Sequence, residues 1–70
     1  GDRPMTLLEA ITQAGGFTQY ANQERTRVIR NVEGKPETYN VDVRAITAGN
    51  KDLDMKLESN DVIFVPESFF

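Results

Sequence analysis

The sequence has neither cysteine nor histidine. Without cysteine there is no disulfide framework and no thiolate metal site, although every redox compartment remains compatible. Acid–base and nucleophilic catalysis also lose their commonest side chains, and the two serines, Ser59 and Ser68, have no evident base. Long apolar runs are missing as well. No stretch approaches the roughly 18–20 residues that a membrane-spanning helix needs, and no basic leader precedes an apolar segment as in a secretory signal. Positive charge is scarce: 8 Lys and Arg stand against 11 Asp and Glu, a net charge of −3. That balance suits a soluble small domain and not a binder of phosphate backbones, so nucleic acid is not an expected partner.

What is present fits one small domain. Seventy residues, 39% of them hydrophobic, allow a single thin core. The chain, residues 1–70, is read as one domain, expected to be a piece of a larger protein. Thr6-Leu7-Leu8-Glu9 has the form of a capping box, in which the Thr6 hydroxyl and the Glu9 carboxylate each accept the other residue's backbone N–H. Leu7, Ala10, Ile11 and Ala14 recur at helical spacing, and Gly15-Gly16 supplies the left-handed stop, so a helix is predicted over residues 6–14. Phe17 then folds back toward Ile11. Glycines that cradle phosphate precede a helix, and these follow one, so they read as a helix stop.

Beyond a polar stretch over residues 18–24, the run 25–32 reads as a strand rich in β-branched residues. Glu33-Gly34-Lys35-Pro36 is turn chemistry, and residues 37–41 form the returning arm. Asp42 is placed to cap a short second helix that carries Val43 and Ile46 inward and ends at Gly49-Asn50. Leu53, Met55 and Leu57 alternate with Asp52, Asp54 and Lys56, which reads as an extended segment with one buried face. A tight turn follows at residues 58–61, with Asn60 at positive φ. Val62-Ile63-Phe64-Val65 reads as a strand covered on both faces, closed by Pro66. The expected class is therefore α+β: a small mixed sheet against one main helix, with a short second helix.

Candidate functional residues are few. Asp52 and Asp54 share a face in the extended reading, yet Lys56 and the missing glycine and closing glutamate do not match a calcium loop. Neither a metal nor a cofactor is expected. Arg25, Arg27 and Arg30 form the one basic cluster, with Arg25 and Arg27 pointing one way and Arg30 the other. They are suited to hold carboxylates of a sugar polymer or a partner, or else to form surface ion pairs with Glu24, Glu37 or Asp42. Tyr20, in the polar loop, is a candidate for stacking on a sugar ring. Phe69 and Phe70 are expected to pack on the sheet or to mark a contact surface.

Two segments carry a family resemblance. Residues 4–18, Pro-Met-Thr-Leu-Leu-Glu-Ala-Ile-Thr-Gln-Ala-Gly-Gly-Phe-Thr, resemble the TLLEAI…AGG signature of soluble-ligand-binding β-grasp (SLBB) domains. Residues 57–66, Leu-Glu-Ser-Asn-Asp-Val-Ile-Phe-Val-Pro, are similar to the closing L-x-x-G-D-V-I-x-V-P of that family. Arg27-Val28-Ile29-Arg30 falls where the family has its first strand after the helix. The resemblance implies a β-grasp fold and a non-catalytic domain of a Wza-type polysaccharide export protein, periplasmic or associated with the outer membrane. Its implied partners are neighbouring domains or subunits, and the polysaccharide itself. It also implies that Gly15, Gly16, Asn60, Asp61 and Pro66 determine the fold and take no part in chemistry, a structural role that the capping box gives to Thr6 and Glu9 as well. Two departures stand out. The family's extra strand or hairpin before the helix has no counterpart beyond residues 1–5, and Asn60 replaces the usual turn glycine. The other reading is a β-grasp module outside any export system that captures a soluble sugar or cofactor through residues 18–25 and the arginines.

Overall fold

The computed structural model describes residues 4–68. In chain order it comprises helix α1 (Leu7–Gln13), a 3-10 turn (Gln23–Arg25), strands β1 (Thr26–Val32) and β2 (Lys35–Val41), helix α2 (Val43–Thr47), a second 3-10 turn (Lys51–Leu53) and strand β3 (Val62–Phe64). The α+β class and both helices stand as the sequence predicts. The three strands lie in the order β2-β1-β3, and both pairings are antiparallel, so the described sheet is not mixed.

Helix α1 owes its position to four backbone N–H groups that no helix can satisfy internally. Two are met by the capping box: Thr6 N–H donates to Glu9 Oε1 at 3.2 Å, and Glu9 N–H donates to Thr6 Oγ1 at 3.2 Å. The other two are met from far along the chain. Leu7 N–H donates to the Met55 carbonyl at 2.8 Å, and Leu8 N–H donates to Asp54 Oδ1 at 3.1 Å. Leu57 N–H returns a bond to the Met5 carbonyl at 2.8 Å. At the other end, Gly16 N–H reaches the Ile11 carbonyl and Gly15 N–H the Thr12 carbonyl, with φ of 83° and 105°. This double bond pattern is the Schellman stop that the glycines promised.

The β1–β2 hairpin closes through Glu33 and Gly34 at φ of 52° and 82°. Two positive φ values in a two-residue turn match the twist of the flanking strands. Pro36 lies within β2, which is tolerable because β2 is an edge strand and one side of it needs no ladder donor. Asp42 caps α2 by accepting from Ala45 N–H at 3.0 Å.

Strand alternation divides the sheet into two faces. The inner face carries Thr26, Val28, Val41 and Ile63 toward the helices, where Leu7, Ile11, Val28, Val41, Val43 and Ile46 make the core. Phe17 packs on that cluster, as the spacing predicted, and Leu8, Met55 and Leu57 complete it. Thr26 is fully buried, its hydroxyl satisfied by donating to the Gln23 carbonyl at 3.0 Å.

Three expectations need correction. Residues 51–53 form a 3-10 turn, which leaves Leu53 45% exposed; only Met55 and Leu57 face the core, because residues 55–57 alone run alongside the start of α1. Asp54 is accordingly no solvated strand residue but a helix cap. Strand β3 is covered on one face only: Ile63 packs inward, while Val62 and Phe64 are 56% and 45% exposed. A continuous apolar run cannot by itself distinguish one covered face from two. Phe64, expected to be covered as part of that strand, is thus close to half exposed. Gly1 to Arg3, Phe69 and Phe70 lie outside the described residues.

Candidate functional site

The structure distributes the four candidate binding residues over three places. Arg30 lies on the inner face, at the end of the core. Its Nε donates to Asp61 Oδ1 at 3.0 Å and its Nη2 to Asp61 Oδ2 at 2.8 Å, a bidentate pair. Nη2 also reaches the Lys56 carbonyl at 3.2 Å, and Nη1 lies 3.2 Å from Glu58 Oε2. The guanidinium stacks over Tyr39, 5.3 Å from the ring centroid. Asp61 in turn accepts from Glu58 N–H at 2.8 Å, bracing the turn in which Asn60 sits at φ 72°. The hydrogen bonds from Arg30 hold the Asp61 carboxyl below its ordinary pKa, and those same bonds raise that of Arg30. The Tyr39 hydroxyl donates to Glu37 at 2.8 Å, which raises its pKa. The ion pairs considered for this arginine were with Glu24, Glu37 or Asp42; its actual partners are Asp61 and Glu58, across the sheet on the closing turn. That turn lies too far along the chain for local spacing to pair it with Arg30.

Arg25 and Arg27 take the opposite side. Arg27 shares the outer face with Ile29 on β1, with Pro36, Thr38 and Asn40 on β2, and with Val62 and Phe64 on β3. Register sets Arg27 directly opposite Phe64 and Ile29 opposite Val62. The Arg27 guanidinium stacks on Phe64, 5.4 Å from its centroid. Arg25, in the 3-10 turn before β1, joins Arg27, Glu24, Thr38 and Asn40 around a shallow depression of about 400 Å³. Among the described residues neither Arg25 nor Arg27 forms an ion pair, whereas Glu24 pairs loosely with Arg44 at 3.6 Å. The result is an uncovered apolar strip, Ile29, Val62 and Phe64, with two cations along its margin.

Tyr20 is elsewhere again. Its loop is fastened to the chain's end: Asn22 N–H donates to the Pro66 carbonyl and Ser68 N–H to the Tyr20 carbonyl, each at 2.7 Å, around a bridge between Ala21 and Glu67. The Tyr20 side chain, 46% exposed, borders a polar depression with Asn22, Gln23 and Arg44. Sequence patterning gives no sign of this short ladder, because residues 18–24 have no strand periodicity. Between α1 and β3 lies an apolar groove of about 360 Å³, lined by Ala10, Ile11, Ala14, Phe17, Ile63 and Val65. It lies beside β3, an edge strand of the described sheet.

No group of three or more acidic, histidine or cysteine side chains among the described residues is placed to hold a metal ion. No helix among them is long and apolar enough to cross a membrane. A helix closed by a Schellman stop, a hairpin, a capped second helix and a closing strand beside β1 define a β-grasp-like α+β domain. The comparison with protein families assigns it: the SLBB domain model matches residues 1–65, and the chain belongs to the SLBB domain family. No curated protein and no solved structure matches the chain. Family membership supports a general non-catalytic role in binding or assembly.

Proposed function

We propose that this chain is an assembly domain of a polysaccharide export protein of the Wza type, working in the periplasm or at the outer membrane of a bacterial envelope. In this reading it catalyses nothing. It holds neighbouring domains or subunits so that together they form the conduit for a capsule or exopolysaccharide. The observation that carries the reading is the surface left open: an apolar strip on the outer sheet face, with Val62 and Phe64 roughly half exposed, on β3, whose far edge has no partner among the described residues. Contiguous apolar surface of this kind marks contact sites, and an unpaired strand edge accepts further strands. The arginines at the margin would take carboxylates from a neighbour or from an acidic polymer. The test is the size of the intact protein in membranes and in detergent. A ring or other closed oligomer is expected, and a strict monomer under both conditions would remove the proposal.

A second reading rests on the polar depression beside Tyr20, where an exposed ring lies next to the side chains of Asn22 and Gln23. Rings beside amide groups suit a sugar, so this reading is of a module that captures a soluble ligand outside an export system. Titration with neutral and acidic oligosaccharides followed by NMR separates the two. Shifts confined to residues 18–25 favour capture, and unmoved spectra leave the assembly reading alone.

A further inference from the structure

We infer that the outer sheet face is the socket of a head-to-tail contact between copies of this chain, and that the plug is the 3-10 turn bearing Asp52 and Leu53. The inference rests on the assembly reading and names the surfaces that carry it. The socket is Ile29, Val62 and Phe64, with Arg25 and Arg27 at its margin and without acidic partners among the described residues. The plug must bring an apolar side chain next to a carboxylate, and the 3-10 turn at Lys51–Leu53 does so. Leu53 is 45% exposed, and Asp52 beside it is exposed and makes no ion pair among the described residues. Leu53 stays out while Met55 and Leu57 just downstream are drawn onto the core.

Charge selects the pairing. Leu53 covers the strip while Asp52 meets Arg27, whose position over the Phe64 ring holds the guanidinium at the rim of the socket. Plug and socket cannot meet within one molecule. The turn packs against α2, whose Val43 and Ile46 enter the core from the helical side, whereas the socket is on the sheet's other face. A contact between two different surfaces of identical chains repeats: it closes into a ring where the rotation permits and otherwise extends.

The test uses the whole chain in sedimentation velocity and NMR over a wide concentration range. Reversible self-association is expected, with concentration-dependent shifts at Val62, Phe64 and Leu53. Arg27→Asp and Asp52→Arg should each weaken it about tenfold or more, because each sets like charges face to face. Mixed in equal amounts, the two variants should associate again, since each plug then finds an opposite charge in the other's socket. Both substitutions are at exposed positions, and the spectra verify that each variant stays folded. A chain that stays monomeric, an association that ignores both substitutions, or a mixture that fails to recover would overturn the inference. If the intact protein still forms a closed oligomer in that event, the contact falls and the assembly reading stands. An intact protein that is monomeric while the chain self-associates has the opposite meaning.

Discussion

The two faces of the β1–β2–β3 sheet are built from the same strands and answer to different demands. On the inner face Val28 is fully buried between the helices and its neighbours, and even the polar groups are committed: Thr26 bonds a backbone carbonyl and Arg30 clasps Asp61. On the outer face the residues one step along each strand are Arg27, Ile29, Thr38, Val62 and Phe64, and no helix among the described residues packs on them. The two arginines of β1 show the difference most directly. They are three residues apart, so the pleat sends them to opposite sides, one into a braced turn and the other to the surface. A charged residue's role here is set by its face and not by its membership of a cluster.

Substitutions should break this comparison in a graded way. The largest loss is expected on the inner side. Leu7→Ala empties a fully buried site and should cost about 2–5 kcal/mol in denaturant unfolding, enough to leave so small a domain largely unfolded. Asp61→Asn comes next, because it removes the bidentate acceptor of Arg30; a fall in Tm on the order of 5 °C is expected at neutral pH. Its pH dependence supplies the sharper measurement. The Asp61 pKa is depressed in the folded state, so its stabilisation is fully present above the ordinary value of 3.8 and disappears as pH falls through the folded value. The Tm difference between the wild type and Asp61→Asn should therefore be constant from neutral pH down to about 3.8 and narrow between there and the lower folded value. A difference that persists into strong acid would show that the pair contributes little.

The arrangement of α1, the hairpin, α2 and the closing turn was legible from local chemistry, because each depends on neighbours in sequence. Thr6 and Glu9 are three residues apart, Gly15 and Gly16 follow the last apolar residue of the helix, and Asp42 immediately precedes α2. Asn60 at positive φ was legible for the same reason. What was hidden depends on contacts between distant segments. Asp54 became a helix cap, Arg30 found Asp61, and the Tyr20 loop paired with residues 66–68, none of which any periodicity announces. The outer face was misread because Val62–Val65 is apolar throughout, and composition alone does not say which side of a strand has been left uncovered. The candidate site was thus half legible: the arginines were identified as a group, and only the register of β1 with β3 revealed that Arg27 keeps company with Phe64.

Smaller effects sharpen the contrast. Glu33 occupies φ 52°, and Asn tolerates that region better than Glu, so Glu33→Asn should stabilise the hairpin by about 0.5 kcal/mol in thermal unfolding. Arg27→Ala and Val62→Thr, on the outer face, should each change stability by no more than about 0.5 kcal/mol. A loss of many degrees for either would show that the outer face is part of the domain's own support and not a surface held in reserve.

The start of α1 has one more consequence. Its seven residues are too few to persist as a helix in water, and two of its four otherwise unmatched amides depend on Met55 and Asp54, the latter 46 residues away. The helix therefore has no early life of its own during folding. It becomes secure only once the chain has come round and delivered residues 54–57, which makes its formation a late, collective event with slow loop closure ahead of it. In native-state hydrogen exchange the amides of Leu7 and Leu8 should accordingly be among the last to exchange, opening only when the whole molecule does.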